Sequence, residues 1–194
     1  MASFAREVAY RIFARELSDT TVALERDPDD AYAPQYVLTP TGAKVNRVFV
    51  IGTLTEKEDI GTDTEYWRAR ISDPTGAFFM YAGQYQPDAT RALTDAPVAD
   101  ADAPVPEFLA VVGKVSVYTT EDGRVMTSIR PETISVVDAM VRDRWVLETA
   151  RQTLDRIKEL EGGVSENLSM IEENYSIDLE QYRQMVASAL ESMQ

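Results

Sequence analysis

Aromatic and cationic side chains are interleaved in one short stretch of this 194-residue chain. The stretch, residues 64–85, reads TEYWRARISDPTGAFFMYAGQY and places its rings and two arginines around one Asp-Pro-Thr-Gly turn. Flat rings stack on nucleobases whatever the base sequence, and guanidinium groups pair with phosphates. These residue types therefore predict binding of single-stranded nucleic acid.

The composition excludes most kinds of catalytic site. The chain has no cysteine and no histidine, which excludes disulfides, thiol nucleophiles, histidine general bases and zinc sites built from Cys and His. Asp59, Asp63 and Asp73 are conceivable metal ligands, but loop carboxylates in so acidic a protein are more often simply solvated. We expect a non-enzyme with no catalytic residue, no metal and no cofactor.

The chain is strongly acidic, with a net charge of −14, 33 acidic residues, and only 4 lysines against 15 arginines. Such a composition is typical of a high-salt cytosol, where screening removes the mutual repulsion of carboxylates. An ordinary acidic interaction protein is the alternative. Apolar runs are too short to span a bilayer, and the N-terminal region lacks the apolar core of a secretory signal. We expect a cytoplasmic, nucleoid-associated protein that contacts no membrane.

Hydrophobic periodicity predicts a β barrel with appended helices. A short helix is predicted over residues 3–18, before the barrel, and residues 87–96 are predicted to form a short helix or a loop between its third and fourth strands. This order is that of a five-stranded oligonucleotide/oligosaccharide-binding (OB) fold, and Gly52 and Gly113 stand mid-strand, where a small barrel must coil sharply. The five predicted strands are residues 43–58, 64–72, 77–84, 107–119 and 124–137.

The pattern divides the chain into four segments, of which the third is a predicted assembly helix. This helix is charge-neutral and carries apolar residues at heptad positions, so the helices of a partner could cover it. In the alternative, it packs on its own barrel or on the C-terminal segment, which is predicted to be helical with an interruption at Ser176. The segments are 1–42 (N-terminal helix and acidic loop), 43–138 (OB barrel), 139–162 (assembly helix) and 163–194 (C-terminal helical region). The predicted partner-binding residues are Trp145, Leu147, Ala150, Leu154 and Ile157.

Alternation along each strand assigns side chains to the barrel interior or to its outer face. Phe78, Met80 and Ala82 are predicted inside, with Ala69 and Ile71 from the neighbouring strand, and the outer face is then aromatic and cationic. The second and third strands of an OB barrel are its usual ligand face. The predicted nucleic-acid contacts are Arg68, Arg70, Phe79, Tyr81, Tyr85, Lys114, Tyr118, Arg124 and Arg130.

Some of these side chains could instead serve packing or ion pairing. Phe79 and Tyr81 could lie beneath the N-terminal helix, and Trp67 fits the core better than a contact. The arginines of the second strand could pair with the abundant carboxylates. A packing role is least expected for Tyr118, because rings at the edge of a hairpin loop are seldom needed for packing.

Four segments of the chain resemble the archaeal replication protein A-associated proteins, which are similar to the middle subunit of eukaryotic replication protein A. The segments are REVAYRIFAREL, YVLTPTGAKVNRVFVIGTLTE, YWRARISDPTGAFFMYAGQYQP and VRDRWVLETARQTLDRI, and together they cover most of residues 4–160. The third is the most specific. Residues 163–194, in contrast, do not suggest the family's usual winged-helix module.

The resemblance implies a non-catalytic, single-stranded DNA-binding subunit of a hetero-oligomer that acts in DNA replication, recombination and repair. It implies one stacking ring at the mouth of the loop between the fourth and fifth strands, which is Tyr118. It implies another near the end of the third strand, which is Tyr81 or Tyr85. It also implies that the helix over residues 139–161 joins a larger subunit in a helical bundle.

Two further functions stay open. An assembly subunit would bind a larger DNA-binding subunit while making little DNA contact of its own, and its net charge would repel DNA. An OB domain for RNA would prefer structured RNA to oligothymidylate. Direct binding measurements on the isolated protein at high KCl separate these functions.

Overall fold

A computed structural model describes residues 7–29, 33–100 and 107–193. The strands of these ranges are β1 (Val22–Ala23), β2 (Val37–Leu38), β3 (Lys44–Val45), β4 (Arg47–Asp59), β5 (Tyr66–Asp73), β6 (Gly76–Gly83), β7 (Phe108–Thr119) and β8 (Val125–Val137). The helices are α1 (Ala14–Ser18), α2 (Pro87–Asp95), α3 (Ala139–Glu161), α4 (Leu168–Asn174) and α5 (Leu179–Glu191).

Within the described ranges, five strands close into a barrel in the order β4-β5-β6-β8-β7. Neighbouring strands pair antiparallel, except that β6 and β8 run parallel where Met80 meets Ile129. This order and this mixed pairing are those of an OB fold. The predicted fold class, the five strands and the helix between the third and fourth of them are confirmed.

The barrel interior is filled by the side chains that alternation assigned to it. Phe78 and Met80 are almost completely buried. Gly113 lies where β7 crosses β8, and a Cβ there would come within 2.6 Å of the Arg130 carbonyl oxygen. A Cβ at Gly52 would approach the backbone of β5 equally closely. Both glycines therefore permit the close strand crossings that sharp coiling requires.

The N-terminal helix is shorter than predicted. α1 begins only at Ala14, and residues 7–13 are extended rather than helical, while residues 3–6 lie outside the described ranges. Val8, which a longer helix would place on its apolar face, is 77% exposed, whereas Ile12 is completely buried. The apolar spacing of this segment is therefore not the signature of one continuous helix.

The extended segment covers an open edge of β4. The first half of β4 pairs with β7 along one side, and its other edge needs hydrogen-bond partners that a helix does not supply. Tyr10 forms a parallel bridge with Val48 at this edge. The Tyr10 N–H donates to the Arg47 carbonyl oxygen at 2.8 Å, and the Phe49 N–H donates to the Tyr10 carbonyl oxygen at 2.8 Å. Backbone pairing thus replaces the predicted first turns of helix.

Asp73 fastens the β5–β6 hairpin to the start of α1. One carboxylate oxygen accepts hydrogen bonds from the Thr75 and Gly76 N–H groups at 2.7 and 3.0 Å, and the other accepts from the Ala14 N–H at 2.7 Å. Burial raises the pKa of this carboxyl to about 6, against the lowering effect of its hydrogen bonds. Asp73 therefore has a structural role, and the described residues contain no cluster of three or more potential metal ligands.

A buried carboxylate joins α1 to α3 and to a small antiparallel sheet of β1, β2 and β3, which the sequence did not predict. Glu16 is completely buried and accepts hydrogen bonds from the Phe13 N–H at 2.7 Å and from the Thr41 hydroxyl. From α3 it accepts the Thr153 hydroxyl at 3.1 Å and the Arg156 guanidinium at 2.8 Å. The buried charge is therefore compensated by a cation and by three further donors.

α3 lies along the barrel, as the alternative to the predicted assembly helix proposed. The Trp145 indole N–H donates to the Phe49 carbonyl oxygen at 2.9 Å. Its ring meets that of Phe13 edge-on, with the centroids 5.7 Å apart. The helix itself is confirmed, and Asp138 caps its first turn by accepting a backbone hydrogen bond at 2.9 Å.

Burial divides the predicted partner-binding residues. Trp145, Ala150 and Ile157 are buried in the core of their own chain, so the prediction that this stripe is left uncovered is wrong for them. The reason is that α3 packs against both the barrel and α5. These two contacts bury a wider part of the helix surface than the single line of heptad positions that the sequence analysis considered. Leu147 and Leu154 are 53% and 38% exposed and lie on the outer side of the helix.

The C-terminal region consists of α4 and α5, and the predicted interruption at Ser176 is confirmed by the break between them. Ile171 of α4 and Tyr182 of α5 are buried, as expected for the apolar face of this region. Across the described ranges, no helix combines the length and the apolar character needed to cross a bilayer.

Candidate nucleic-acid interface

The outer face of β5 and β6 alternates cations with rings. The strand register places Arg68 opposite Tyr81 and Arg70 opposite Phe79. Phe79 is 43% exposed, whereas the positions on either side of it in β6 are buried. The predicted assignment of side chains to the two faces of these strands is confirmed.

Tyr66 extends this ring surface, although it is not among the predicted contacts. Its ring stacks on that of Tyr81, with centroids 6.0 Å apart and planes inclined by 23°. Its cross-strand partner is Gly83, where a Cβ would lie only 2.8 Å from the Tyr66 Cδ2 atom. The absence of a side chain at Gly83 therefore makes room for the two rings to stack. The outward register of Tyr66 is the sequence signal that identifies it.

Rings from three strands line one open cavity of about 510 Å³, which we call the ring cavity. Phe79 and Tyr81 come from β6, Tyr66 from β5, and Tyr118 from β7, where it is 66% exposed. Met126 of β8 lies opposite Tyr118 in the strand register and completes the wall. The fold thus brings three of the predicted aromatic contacts into a single groove.

The β7–β8 turn at the edge of the ring cavity holds Arg124. Asp122 forms an ion pair with Arg124 at 2.7 Å and accepts a hydrogen bond from the Thr120 hydroxyl. Hydrogen bonds hold the pKa of the Asp122 carboxyl below its ordinary value, and the bond from the Thr120 hydroxyl has the largest effect. Arg124 is exposed to solvent, but its charge is neutralised within its own turn.

The arginines of β5 are paired with glutamates of β4. Arg68 lies 2.7 Å from Glu58, and Arg70 lies 3.0 Å from Glu56, in directly opposed positions of the two strands. This confirms the alternative that these cations pair with carboxylates. All four side chains are exposed, so each pair contributes at most about 1 kcal/mol and can exchange its carboxylate for another anion.

Lys114 and Arg130 lie together beyond the ring cavity. They border two further cavities of about 380 Å³ each, one of which is also lined by Tyr85, a loop residue that is 84% exposed. Ser116 lines both the other of these cavities and the ring cavity, so the two surfaces are continuous. In the part of the chain that the structure describes, neither Lys114 nor Arg130 forms an ion pair.

Arg26 borders the same cavity as Lys114 and Arg130, and it was not predicted as a contact. It follows β1 in a segment that the sequence indicates only as an acidic loop, and two-residue strands leave no periodic pattern. The sequence therefore carries no signal for its position.

Burial also distinguishes the positions of Trp67 and Phe79. Trp67 is partly buried against the core, with the Lys57 ammonium 6.0 Å from its ring centroid, so its interpretation as a core residue is confirmed. Phe79 borders a small cavity of about 80 Å³ together with Leu17 of α1, but the helix does not cover the ring. Phe79 therefore keeps an open face toward the ring cavity.

No protein-family model and no curated protein matches the chain. Among solved structures, a chain of a replication protein A heterotrimer bound to single-stranded DNA is 14% identical, with a TM-score of 0.48, and the match covers 77% of this chain and 98% of that one. The mitochondrial single-stranded DNA-binding protein Rim1 of S. cerevisiae is 16% identical, with a TM-score of 0.33 and coverage of 50% and 98%. A chain of the yeast Stn1 and Ten1 structure is 15% identical, with a TM-score of 0.32 and coverage of 74% and 63%. The assignment of function therefore depends on the geometry of the groove.

Proposed function

We propose that this chain is a non-catalytic single-stranded DNA-binding subunit of a replication protein A-like complex, which acts in DNA replication, recombination and repair. The observation that carries the proposal is the ring cavity, which is lined by Phe79 and Tyr81 from β6 and by Tyr118 from β7. Each base that stacks on such a ring contributes about 1–3 kcal/mol in OB-fold proteins. Two or three such contacts are enough for affinity without base-specific hydrogen bonds.

The exposed arginine pairs support the same function. A phosphate that replaces Glu58 or Glu56 gives the guanidinium a new partner at little energetic cost, because the original pair is solvated. The rings then hold the bases while the arginines follow the backbone of the strand. Stacking is the larger of the two contributions at high salt, since counterion release weakens steeply as salt rises.

We also propose that the protein works in a high-salt cytosol. Its 33 carboxylates repel one another once screening is removed, and the net charge of −14 makes this repulsion strong. Circular dichroism in molar and in millimolar KCl tests the proposal. We expect loss of structure at low KCl, and an unchanged spectrum would contradict it.

Fluorescence anisotropy with labelled oligothymidylate at molar KCl tests the DNA-binding role. Tyr118→Ala is expected to weaken binding by about 1–3 kcal/mol, since it removes a stacking ring. Tyr10→Ala is the matched control. It removes an exposed tyrosine at the edge of β4 that faces away from β7, the strand that carries Tyr118. Equal affinities for the two variants, or no binding by the wild type, would contradict the proposal.

The proposed partner is the larger subunit of the complex, bound through the outer side of α3. Met140, Leu147 and Leu154 are exposed and seven residues apart, so they form one stripe along the helix. Arg151 and Lys158 lie beside it with the same spacing of seven residues and are also exposed. An amphipathic partner helix with an acidic margin would complement this face.

Co-purification from the native host tests the partner. Leu147→Asp combined with Leu154→Asp should abolish recovery of the larger subunit and leave the barrel folded. Ile157 is unsuitable for this test because it is completely buried, and a charge there would unfold the protein. A double variant that still assembles would place the partner elsewhere.

The second candidate function is an assembly subunit with little DNA contact of its own. The observation that favours it is that the arginines nearest to the rings are already neutralised by Glu56 and Glu58. Binding of oligothymidylate by the isolated protein separates the two functions. A preference for structured RNA over oligothymidylate would instead indicate an RNA-binding OB domain.

A further inference from the structure

One of the cavities beyond the rings is lined by cations from three different parts of the chain. Arg26 follows β1, Lys114 lies on β7 and Arg130 on β8, and together with Gln35, Asn46 and Ser116 they line an open cavity of about 380 Å³. No carboxylate of the described residues is part of this lining. We call it the cationic cavity, and we propose that it is a phosphate-binding subsite for the nucleic-acid strand. This inference rests on the proposed function and adds a second, chemically different site to it.

Arg26 is held in place by neutral groups. Its Nε atom donates a hydrogen bond to the Gln35 Oε1 atom at 2.9 Å. The Gln35 amide nitrogen in turn donates to the carbonyl oxygens of Leu24 at 2.8 Å and Tyr36 at 2.9 Å. The guanidinium is therefore oriented without losing its charge, and its terminal nitrogens, which form no hydrogen bond with the described residues, can bind an oxyanion.

The cations of this cavity differ from most others in the chain. Nine arginines of the described ranges form ion pairs with carboxylates, as expected in so acidic a protein. Arg26, Lys114 and Arg130 form none there. Three cations without a carboxylate partner among the described residues can give one bound anion several charge-assisted hydrogen bonds at once.

The shape of the groove connects this site to the ring cavity. Ser116 lines both cavities, so a strand whose bases stack on the rings can continue across β7 into the cationic cavity. Guanidinium forks and an ammonium group match the oxygens of a phosphate, which carries charge but presents no face for stacking. The groove therefore has a stacking half and a phosphate half, and this difference gives a bound strand a preferred position.

The first experiment uses inorganic phosphate and does not depend on DNA binding. Phosphate is titrated into the ¹⁵N-labelled protein at constant ionic strength, and the side-chain Nε–Hε signals of Arg26 and Arg130 are followed. We expect both signals to shift with one saturation curve, while the signal of Arg144, an exposed arginine on α3, stays fixed. Signals that do not shift, or that all shift alike, would overturn the proposal.

The second experiment compares Arg26→Gln and Lys114→Gln with Arg144→Gln, which changes the net charge equally on α3. Affinity for an oligothymidylate of about 16 nucleotides is measured over a range of KCl concentrations. Each variant of the cavity is expected to reduce the slope of log K against log[KCl] by about 0.7, the value for one phosphate contact on a single strand. Arg144→Gln should leave the slope unchanged, and thermal melting of all three variants verifies that they are folded.

Oligonucleotides with a 5′-phosphate, a 3′-phosphate or no terminal phosphate show which phosphate the cationic cavity binds, one at the strand end or one within the strand. A gain in affinity from one terminal phosphate that Arg26→Gln abolishes indicates a monoester at the strand end. A slope that falls in the cavity variants without such a gain indicates a phosphodiester within the strand. Slopes for Arg26→Gln and Lys114→Gln that equal that of Arg144→Gln would overturn the proposal. A wild type that shifts with phosphate but binds no oligonucleotide would contradict the proposed function and leave the anion site standing.

Discussion

Arginine–glutamate pairs occur in two settings in this chain, and the comparison shows how one kind of contact serves two purposes. The pair between Glu16 and Arg156 is buried, and three further donors satisfy the carboxylate. The pair between Glu56 and Arg70 lies in solvent on the face of the barrel, beside Phe79. A buried pair resists exchange because either ion left alone would be uncompensated, whereas an exposed pair gives up its carboxylate easily. The first can hold elements together, and the second can release an arginine to a ligand.

The largest expected effect comes from breaking the buried pair. Glu16→Gln leaves Arg156 buried without a counter-charge and is expected to lower the free energy of unfolding by about 3–5 kcal/mol. Glu56→Gln, which makes the same chemical change on the exposed face, should change it by less than about 0.5 kcal/mol. Urea denaturation at molar KCl measures both. Similar losses for the two variants would mean that the two settings do not differ as described.

The next largest effect compares the two faces of β6. Phe78→Ala removes a buried ring and should destabilise the protein by about 3–5 kcal/mol. Phe79→Ala should instead cost about 1–3 kcal/mol of affinity for oligothymidylate, with little change in stability, because its ring is open to the groove. Melting curves and binding isotherms on the two neighbouring variants decide this. The reverse result would invert the assignment of the faces.

A smaller effect, on the affinity for oligothymidylate, is expected when the exposed arginines of β5 lose their glutamate partners. Glu56→Gln combined with Glu58→Gln removes both carboxylate competitors and should tighten binding of oligothymidylate. Each exposed pair contributes at most about 1 kcal/mol, so the gain is at most about fivefold per pair. Glu172→Gln with Glu173→Gln, two exposed glutamates of α4, is the control for net charge. An equal gain in the control would attribute the effect to charge alone.

The last expected effect is confined to a narrow pH range and comes from Asp73, which lies between the two settings because it is largely enclosed but forms no ion pair with the described residues. Its pKa is raised to about 6 in the folded protein, so the native state binds more protons than the unfolded state between about pH 4 and pH 6. The stability that this group contributes is therefore present at low pH and is lost as the pH rises to about 6. Asp73→Asn should remove that part of the slope in denaturation measurements made between those two pH values. A slope that is the same in the variant would show that Asp73 does not titrate in this range.

Alternation predicted the barrel and the faces of its strands because long strands repeat one local rule many times. Phe79 and Tyr118 could be placed on the outer face from their neighbours alone. The same rule fails for β1, whose two residues are too few to show a period. The sequence around Arg26, which follows β1, therefore gave no local indication that this residue lines the cationic cavity.

Helical periodicity correctly predicted α3, but it did not predict which of its apolar residues would be buried. Heptad spacing identifies Leu147 and Ile157 as apolar positions of one helix, yet it does not state how wide an arc the rest of the chain covers. Only tertiary structure shows that Ile157 is enclosed and Leu147 is not. In residues 7–13 the apolar spacing indicated a helix, because the open edge of β4 that draws this segment into strand pairing is not visible locally.

That strand pairing also affects how the protein behaves among many copies of itself. An uncovered strand edge is a template on which another molecule can add a strand, and such addition leads to aggregation or domain swapping. Tyr10 occupies this edge of β4 through two backbone hydrogen bonds of 2.8 Å. Any foreign strand that adds here must first displace residues 7–13, which are tethered to the same chain and are always present beside the edge. The N-terminal segment thus acts as an intramolecular competitor that keeps the barrel from joining other barrels edge to edge.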